Sequence, residues 1–408
     1  MINRFRTRCL TCGHRNTLRI TLGTDTRQEH TFACPGCGES IKVVLDIDFV
    51  NRQHFEPMPN ISFPTSEFHC IENCELCEEE GTITNLDPNF LISQELLHQD
   101  QVFSWMDQAK KIGFINEPED VKGKVNDVIA GVGGQRNFRV IISSFVKAWN
   151  LFSRGQSELC RNQLDVMEAS LGNKIRSVDE AAVMLAVVFL GQSREDEISI
   201  IYQELDKCIS ANELEYRQFR GWLFSERLFD DLMRRHVNIL SEYLSAYDQL
   251  FQTWIYVSRN VPIDGGLIAT SKDIRNVKMF YGNVFEELSA GLLLPACLNN
   301  IKSGRSYNQF LDMDLKKYLT INKAGRAKPF GSNAGFNSLH DEFDSVIRNA
   351  SHHGAIHRSK ESEDFIEYRS GDSGGWKKMN YAGYLVKCNR IMFCLMRLLV
   401  LQIAIKHG

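Results

Sequence analysis

Two sets of residues in this chain have types and spacings that can do chemistry. Cys9, Cys12, Cys34 and Cys37 form two C-x-x-C pairs about twenty residues apart, each followed directly by a glycine, Gly13 or Gly38. Glycine there permits the tight turn that aims backbone amides at thiolate sulfur. Four thiolates at this spacing close a tetrahedral structural zinc site, with β-rich runs at 17–22, 30–32 and 41–47 around it. The second set lies in residues 338–357, SLHDEFDSVIRNASHHGAIH, where Arg348, Asn349, His352 and His353 crowd together and His357 follows. An arginine can fork onto a phosphate, and histidine titrates near neutrality. Such a set could hold a phosphodiester and move a proton. That is the minimum for metal-free RNA cleavage, in which the ribose 2′-OH attacks and the protein supplies position, acid–base work and charge stabilisation.

The second set needs a helix beneath it. Ser338 and Asp341 have the spacing of a capping box, which predicts a helix starting at 338. Leu339, Phe343, Val346, Ile347 and Ala350 recur at helical spacing and give an inward apolar face. Asp344 stands four residues before Arg348, as a helical ion pair requires, and Gly354 is a natural stop. Asn349 and His353, also four apart, share a face. A plainer reading of the same residues is dipole compensation by solvated side chains at a helix end. His353 and His357 also have an i, i+4 metal spacing, but Gly354 between them argues against a continuous helix and so against zinc there.

Arg348-Asn349-Ala350-Ser351-His352-His353 matches the R-N-x-x-x-H signature and resembles the HEPN superfamily of helical ribonucleases, common in toxin–antitoxin, abortive-infection and CRISPR-linked systems. Gly354 fits as well, since many members read RNA-x-x-H-G. The resemblance implies a homodimer in which two motifs face each other and form one metal-independent site. By position it gives Arg348 the scissile phosphate, Asn349 the orientation of the motif and His353 the acid–base step. His352 falls at a variable motif position and its role stays open; Asp344 and His357 are auxiliary candidates. Antiviral defence, released by a viral or host protein trigger, is the biology this implies. The cysteine pairs in turn resemble a zinc ribbon, which implies structural zinc and no cofactor for catalysis.

Composition bounds the rest. The chain has 408 residues, 43% hydrophobic and 24% charged, with a formal net charge of −4. Any RNA contact must therefore come from a local basic surface. The expected fold is mainly α: a small β-rich ribbon over 1–48, an acidic Pro- and Cys-containing connector with a helical part over 49–134, a helical middle region over 135–225 and a HEPN-like helical bundle over 226–408. Helical periodicity marks 138–152, 157–171, 178–190, 198–209, 218–254, 273–294 and 381–405. The turn at 370–375 predicts a small hairpin that would bring Arg358, Lys360, Arg369, Lys377 and Lys378 near the motif. A second basic cluster holds Lys316, Lys317, Lys323, Arg326 and Lys328.

In the connector, Pro57, Pro59 and Pro64 read as extended chain, residues from Asn89 as helix, and the glycine-rich 131–134 as a boundary. His69, Cys70, Cys74 and Cys77 could hold a second metal, although the spacing is unusual and Glu78, Glu79 and Glu80 follow. Arg4, Arg6, Arg8, Arg15, Arg19 and Arg27 make the ribbon locally basic, leaving contact with nucleic acid or with protein open. The N-terminus MINRFRTRCL lacks an apolar signal core, so a reducing cytoplasm is expected. The most apolar run, 391–405, is too short to span a membrane and carries Arg397, so a buried bundle helix is expected there. A zinc-ribbon adaptor that binds protein, nucleotide or nucleic acid and cuts nothing is the alternative to a nuclease.

Overall fold

The computed structural model describes residues 2–21, 27–54, 62–86, 138–191, 195–258, 260, 263, 269, 271–359, 362, 364–371 and 374–408. Pro57, Pro59, the helix expected from Asn89, the glycine-rich 131–134 and Lys360 lie outside these residues. The chain divides into two compact units: Met1–Val140 with Tyr247–Thr253 and Ile263–Ile274, and Ile141–Ala246 with Trp254–Pro262 and Arg275–Gly408.

In the first unit the strands are β1 (Ile2–Cys9), β2 (Arg15–Thr21), β3 (Arg27–Ala33), β4 (Ser40–His54), β5 (Ser62–Glu72), β6 (Cys74–Leu76) and β7 (Thr82–Leu86). They form two sheets, ordered β6-β1-β2-β7 and β3-β4-β5. Period-2 alternation sends Leu18 and Ile20 of β2 and Ile41, Val43, Leu45 and Ile47 of β4 into one apolar cluster, joined by Phe32 and Leu86. Phe5 and Phe68 stack over it with ring centroids 4.2 Å apart. The stretch 62–86, expected to be connector, thus supplies three strands, β5 pairing with β4, β6 with β1 and β7 in parallel with β2. Segments expected in the helical body also belong here: the Ser271 hydroxyl accepts from Thr31 N at 3.0 Å and from Gln249 Nε2 at 2.8 Å.

The helices are α1 (Phe138–Ser153), α2 (Ser157–Leu171), α3 (Val178–Leu190), α4 (Glu195–Ala211), α5 (Glu213–Ser225), α6 (Leu228–Ser245), α7 (Tyr247–Ser258), α8 (Ile274–Val277), α9 (Phe280–Gly291), α10 (Leu293–Lys302), α11 (Leu315–Thr320), α12 (Ser345–His352) and α13 (Tyr381–His407). The expected run 218–254 is broken at Arg227, whose φ of +54° is left-handed, and again at Ala246. The expected run 273–294 is likewise divided between α8, α9 and α10.

The second unit is built around α13, whose side chains are buried along nearly its whole length. Phe393 meets Phe189 of α3 edge-on at 5.5 Å, and Asn389 Oδ1 accepts from Tyr243 of α6 at 3.1 Å. Arg397 is 1% exposed. A buried guanidinium is tolerated only when its donors are met, and Arg397 donates to Glu197 Oε2 at 2.8 Å and to the Ser338 carbonyl at 2.7 Å. At 27 residues α13 is longer than the run 391–405 and is long and apolar enough to cross a membrane, yet 89% of its most apolar window is buried among neighbouring helices. A small antiparallel sheet follows α12, ordered β10-β9-β8 from β8 (Ile356–Arg358), β9 (Phe365–Tyr368) and β10 (Lys377–Asn380). Its β9–β10 pair is the expected hairpin.

Candidate functional site

The motif helix begins later than the sequence predicts. Residues 334–339 form a 3-10 turn and α12 starts at Ser345, so there is no Ser338–Asp341 capping box. Two distant side chains account for this. Arg397 takes the Ser338 carbonyl, and the Tyr281 hydroxyl donates to the Glu342 carbonyl at 2.5 Å while accepting from Asp344 N at 2.9 Å. Asp344 is the cap instead, its carboxylate accepting from Val346 N at 2.8 Å and Ile347 N at 3.3 Å. It is not the partner of Arg348. The apolar face survives: Leu339, Ile347 and Ala350 are buried, and Phe343 stacks on Phe285 of α9 at 3.8 Å.

The partner of Arg348 comes from α9. Glu286 Oε1 accepts from Arg348 Nε at 2.6 Å and also pairs with Nη2. Lys323 pairs with the other carboxylate oxygen, and His352 Nε2 lies 3.8 Å from Oε1. One carboxylate, its side chain 15% exposed, thus faces three basic groups. Arg348 Nη1 donates to Asn349 Oδ1 at 2.9 Å, and Asn349 Nδ2 donates to the Ser370 hydroxyl at 3.2 Å. Asn349 therefore orients the guanidinium and ties α12 to the turn after β9.

The two histidines differ. The His352 ring lies against Gly282 of α9, where a Cβ would stand 3.1 Å from its Nε2 and 2.8 Å from Ser351 Cβ. Burial and then the charges of Arg348, Lys323 and His353 push His352 below its ordinary value, against a hydrogen bond to the Gly282 backbone that pulls it up. Lys323 is lowered too, by burial and then by Arg348 and its neighbouring arginines. His353 caps the C-terminus of α12 through its backbone, and its exposed imidazole makes no hydrogen bond among the described residues. Gly354, at φ +64°, turns the chain into β8. There His357 meets Trp376 with centroids 4.7 Å apart, and its Nδ1 lies 3.1 Å from the Arg358 carbonyl. Arg348, Asn349, His352 and His353 are together, whereas His357 stands out on the sheet and Asp344 at the far end of the helix. Sequence reasoning missed Glu286, Gly282, Tyr281 and Ser370. A Gly-x-x-x-Glu spacing on an apolar helix was the one visible signal, and nothing in it names a partner 62 residues away.

The cysteine pairs close a site in the first unit. All four Sγ atoms lie within 4.8 Å of one another, with Cys9–Cys37 at 3.9 Å and Cys12–Cys34 at 3.7 Å. A tetrahedral ion about 2.3 Å from each sulfur needs edges of about 3.8 Å, so the thiols fit a metal ion. Gly13 and Gly38 hold φ near +73° and +75° and donate to the Cys9 and Cys34 carbonyls. Burial opposes ionisation of Cys9, yet the amides of Cys12 and Thr11 hold its thiol down at about 7. Among the described residues this is the one group of three or more ligands that could hold a metal. His69 instead faces Asp46 at 3.3 Å, Cys74 Sγ points at the Lys42 carbonyl and Cys77 Sγ at the Glu79 carbonyl. Four of the six ribbon arginines are partnered as well: Arg6 with Glu80, Arg8 with Glu75, Arg15 with Glu79 and Arg27 with Asp46.

A cleft of about 480 Å³ in the second unit is lined by Glu204, Lys207, Asn299, Lys302 and Asn333 and by none of the motif residues. The buried Glu204 carboxylate is met by Lys302, Asn333 and Lys207, which makes this an ion-paired joint between helices. No family model matches the chain, and neither a curated protein nor a solved structure matches it.

Proposed function

We propose that this chain is a metal-independent endoribonuclease with a structural zinc in its first unit. The observation that carries the reading is the cluster at the end of α12: a guanidinium aligned by Asn349, His352 packed against Gly282 and a solvent-facing His353 within two turns of one helix. Arg348 would stabilise the phosphorane formed by 2′-OH attack, displacing part of its hold on Glu286 as the phosphate arrives. His353, exposed and without a competing hydrogen bond among the described residues, takes and returns the proton. The products are a 2′,3′-cyclic phosphate and a 5′-hydroxyl. Lys323 adds positive charge beside Arg348, and Glu286 keeps the cluster from repelling itself when no RNA is bound. The four cysteines would hold zinc in a fully protein-ligated site, which stabilises the first unit and leaves no open position for catalysis.

Two copies of α12 facing each other would double the set, so the reading includes a homodimer. An antiviral abortive-infection role in the cytoplasm follows by resemblance alone, with a viral or host protein as trigger. Product analysis tests the chemistry: cleaved RNA should carry cyclic phosphate ends, and 3′-hydroxyl ends would reject 2′-OH attack. One observation favours the adaptor reading, since Nε and Nη2 of Arg348 both engage Glu286 as a structural pair would. In an adaptor, Arg348→Ala and His353→Ala keep the full biological phenotype.

A further inference from the structure

The hairpin after α12 carries an aromatic group that the acid–base step does not use. Trp376 lies just before β10 and is 52% exposed, a large apolar ring left facing solvent. His357 of β8 lies against it at 4.7 Å, and the Arg369 guanidinium sits over its ring at 4.8 Å. Lys377 and Lys378 beside it on β10 are exposed, and Lys378 also covers the Phe365 ring at 4.8 Å. The turn below this stack is fastened to the motif helix by Asn349 Nδ2 to the Ser370 hydroxyl at 3.2 Å, and to the chain just beyond it by Arg369 N to the Ala355 carbonyl at 3.3 Å. His357 is four residues beyond His353. An exposed indole flanked by Arg369, Lys377 and Lys378 is therefore held on a hairpin tied to the motif helix.

We infer that Trp376, with His357 and Arg369, is a stacking platform for one unpaired base of the RNA strand; the inference rests on the ribonuclease reading. A base presents its π-face to an indole only when it has left a duplex stack, and such stacking tolerates any base. The flanking Lys377, Lys378 and Arg369 supply charge for the backbone on either side of that base. The substrate class is thus single-stranded RNA, gripped at one nucleotide by stacking and at the next phosphate by Arg348.

The test is binding rather than cutting. A labelled single-stranded 12-mer RNA, and the same strand annealed to its complement, are titrated into the full-length His353→Ala chain and into versions that add Trp376→Ala or Trp376→Phe. Stacking on one aromatic changes affinity by about 5- to 150-fold. Trp376→Ala should weaken single-strand binding within that range, Trp376→Phe should stay within about threefold of the parent, and duplex binding should not change among the three. Equal single-strand affinity in all three chains overturns the platform alone and leaves the nuclease reading standing. Equal loss with alanine and phenylalanine also overturns it, since a ring is then not what matters. If neither RNA binds the parent, the ribonuclease reading falls and the platform falls with it.

Discussion

The two candidate sites are assembled in opposite ways. In the first unit the four cysteines sit on two short knuckles whose geometry is local: each glycine donates back four residues to the first cysteine of its own pair. In the second unit the motif helix has eight residues, and apart from its Asp344 cap the groups that fix it come from far along the chain: Tyr281, Gly282 and Glu286 from α9, Lys323 from a turn and Ser370 from the hairpin. Four thiols placed to hold a metal can be written into twenty-nine residues, whereas a charge cluster has to be gathered by a fold.

The largest test of that contrast is chelation. Prolonged EDTA, or Cys34→Ser, should unfold the first unit, because a closed four-thiolate site contributes on the order of 10 kcal/mol at neutral pH. Limited proteolysis should then cut within residues 2–86 while α9, α12 and α13 stay protected. Loss of protection in all of them would show that the two sites are not separately built.

Acid comes next and strikes both units. His30 in the first and His236 in the second are fully buried, and burial lowers each to about 4. Both favour the neutral form when folded, so the unfolded chain binds more protons between pH about 6.5 and about 4. Stability is complete above about 6.5, falls through that window and levels off below about 4. The drop is on the order of 3 kcal/mol for each histidine. Denaturant melts at pH 7 and pH 4.5 measure it, and His236→Asn should flatten the profile of the helical unit alone.

Within the second unit, Glu286→Ala removes the acceptor of Arg348 and Lys323. Both cations are partly solvated, with side chains 28% and 44% exposed, so the cost is about 1–3 kcal/mol by urea denaturation. Gly282→Ala drives a Cβ to 2.8 Å from Ser351 and costs a similar amount by overpacking, with a further loss of RNA cleavage as α12 is displaced. The smallest effect is Asp344→Ala, about 1 kcal/mol for the lost cap. An Asp344→Ala effect larger than that of Glu286→Ala would mean that local capping, not the distant carboxylate, holds the motif.

These differences also explain what could be read in the sequence. The bounds of α2 and α3 were legible to the residue because local signals set them: Gly172 ends α2 in the left-handed region, and the Ser177 hydroxyl accepts from Glu180 N to start α3. The break at Arg227 carried no such mark, since a left-handed arginine is held there by its surroundings. Cysteine spacing showed the four thiols that could hold a metal, but not that β5, β6 and β7 complete their sheets, because β2–β7 pairing is parallel and non-local. Arg348, Asn349, His352 and His353 were visible as a motif. That Glu286 pairs with Arg348 depends on α9 packing on α12, which no local pattern encodes.

The most direct measurement of the central claim is RNA cleavage by the full-length protein during brief EDTA treatment, comparing wild type with Arg348→Ala and His353→Ala. The account predicts that wild type cuts at an unchanged rate in chelator and that each substitution lowers the rate at least about a hundredfold, the scale of one general acid–base or charge-stabilising group. Cutting that stops with chelation before the first unit unfolds, or that survives both substitutions, would contradict it.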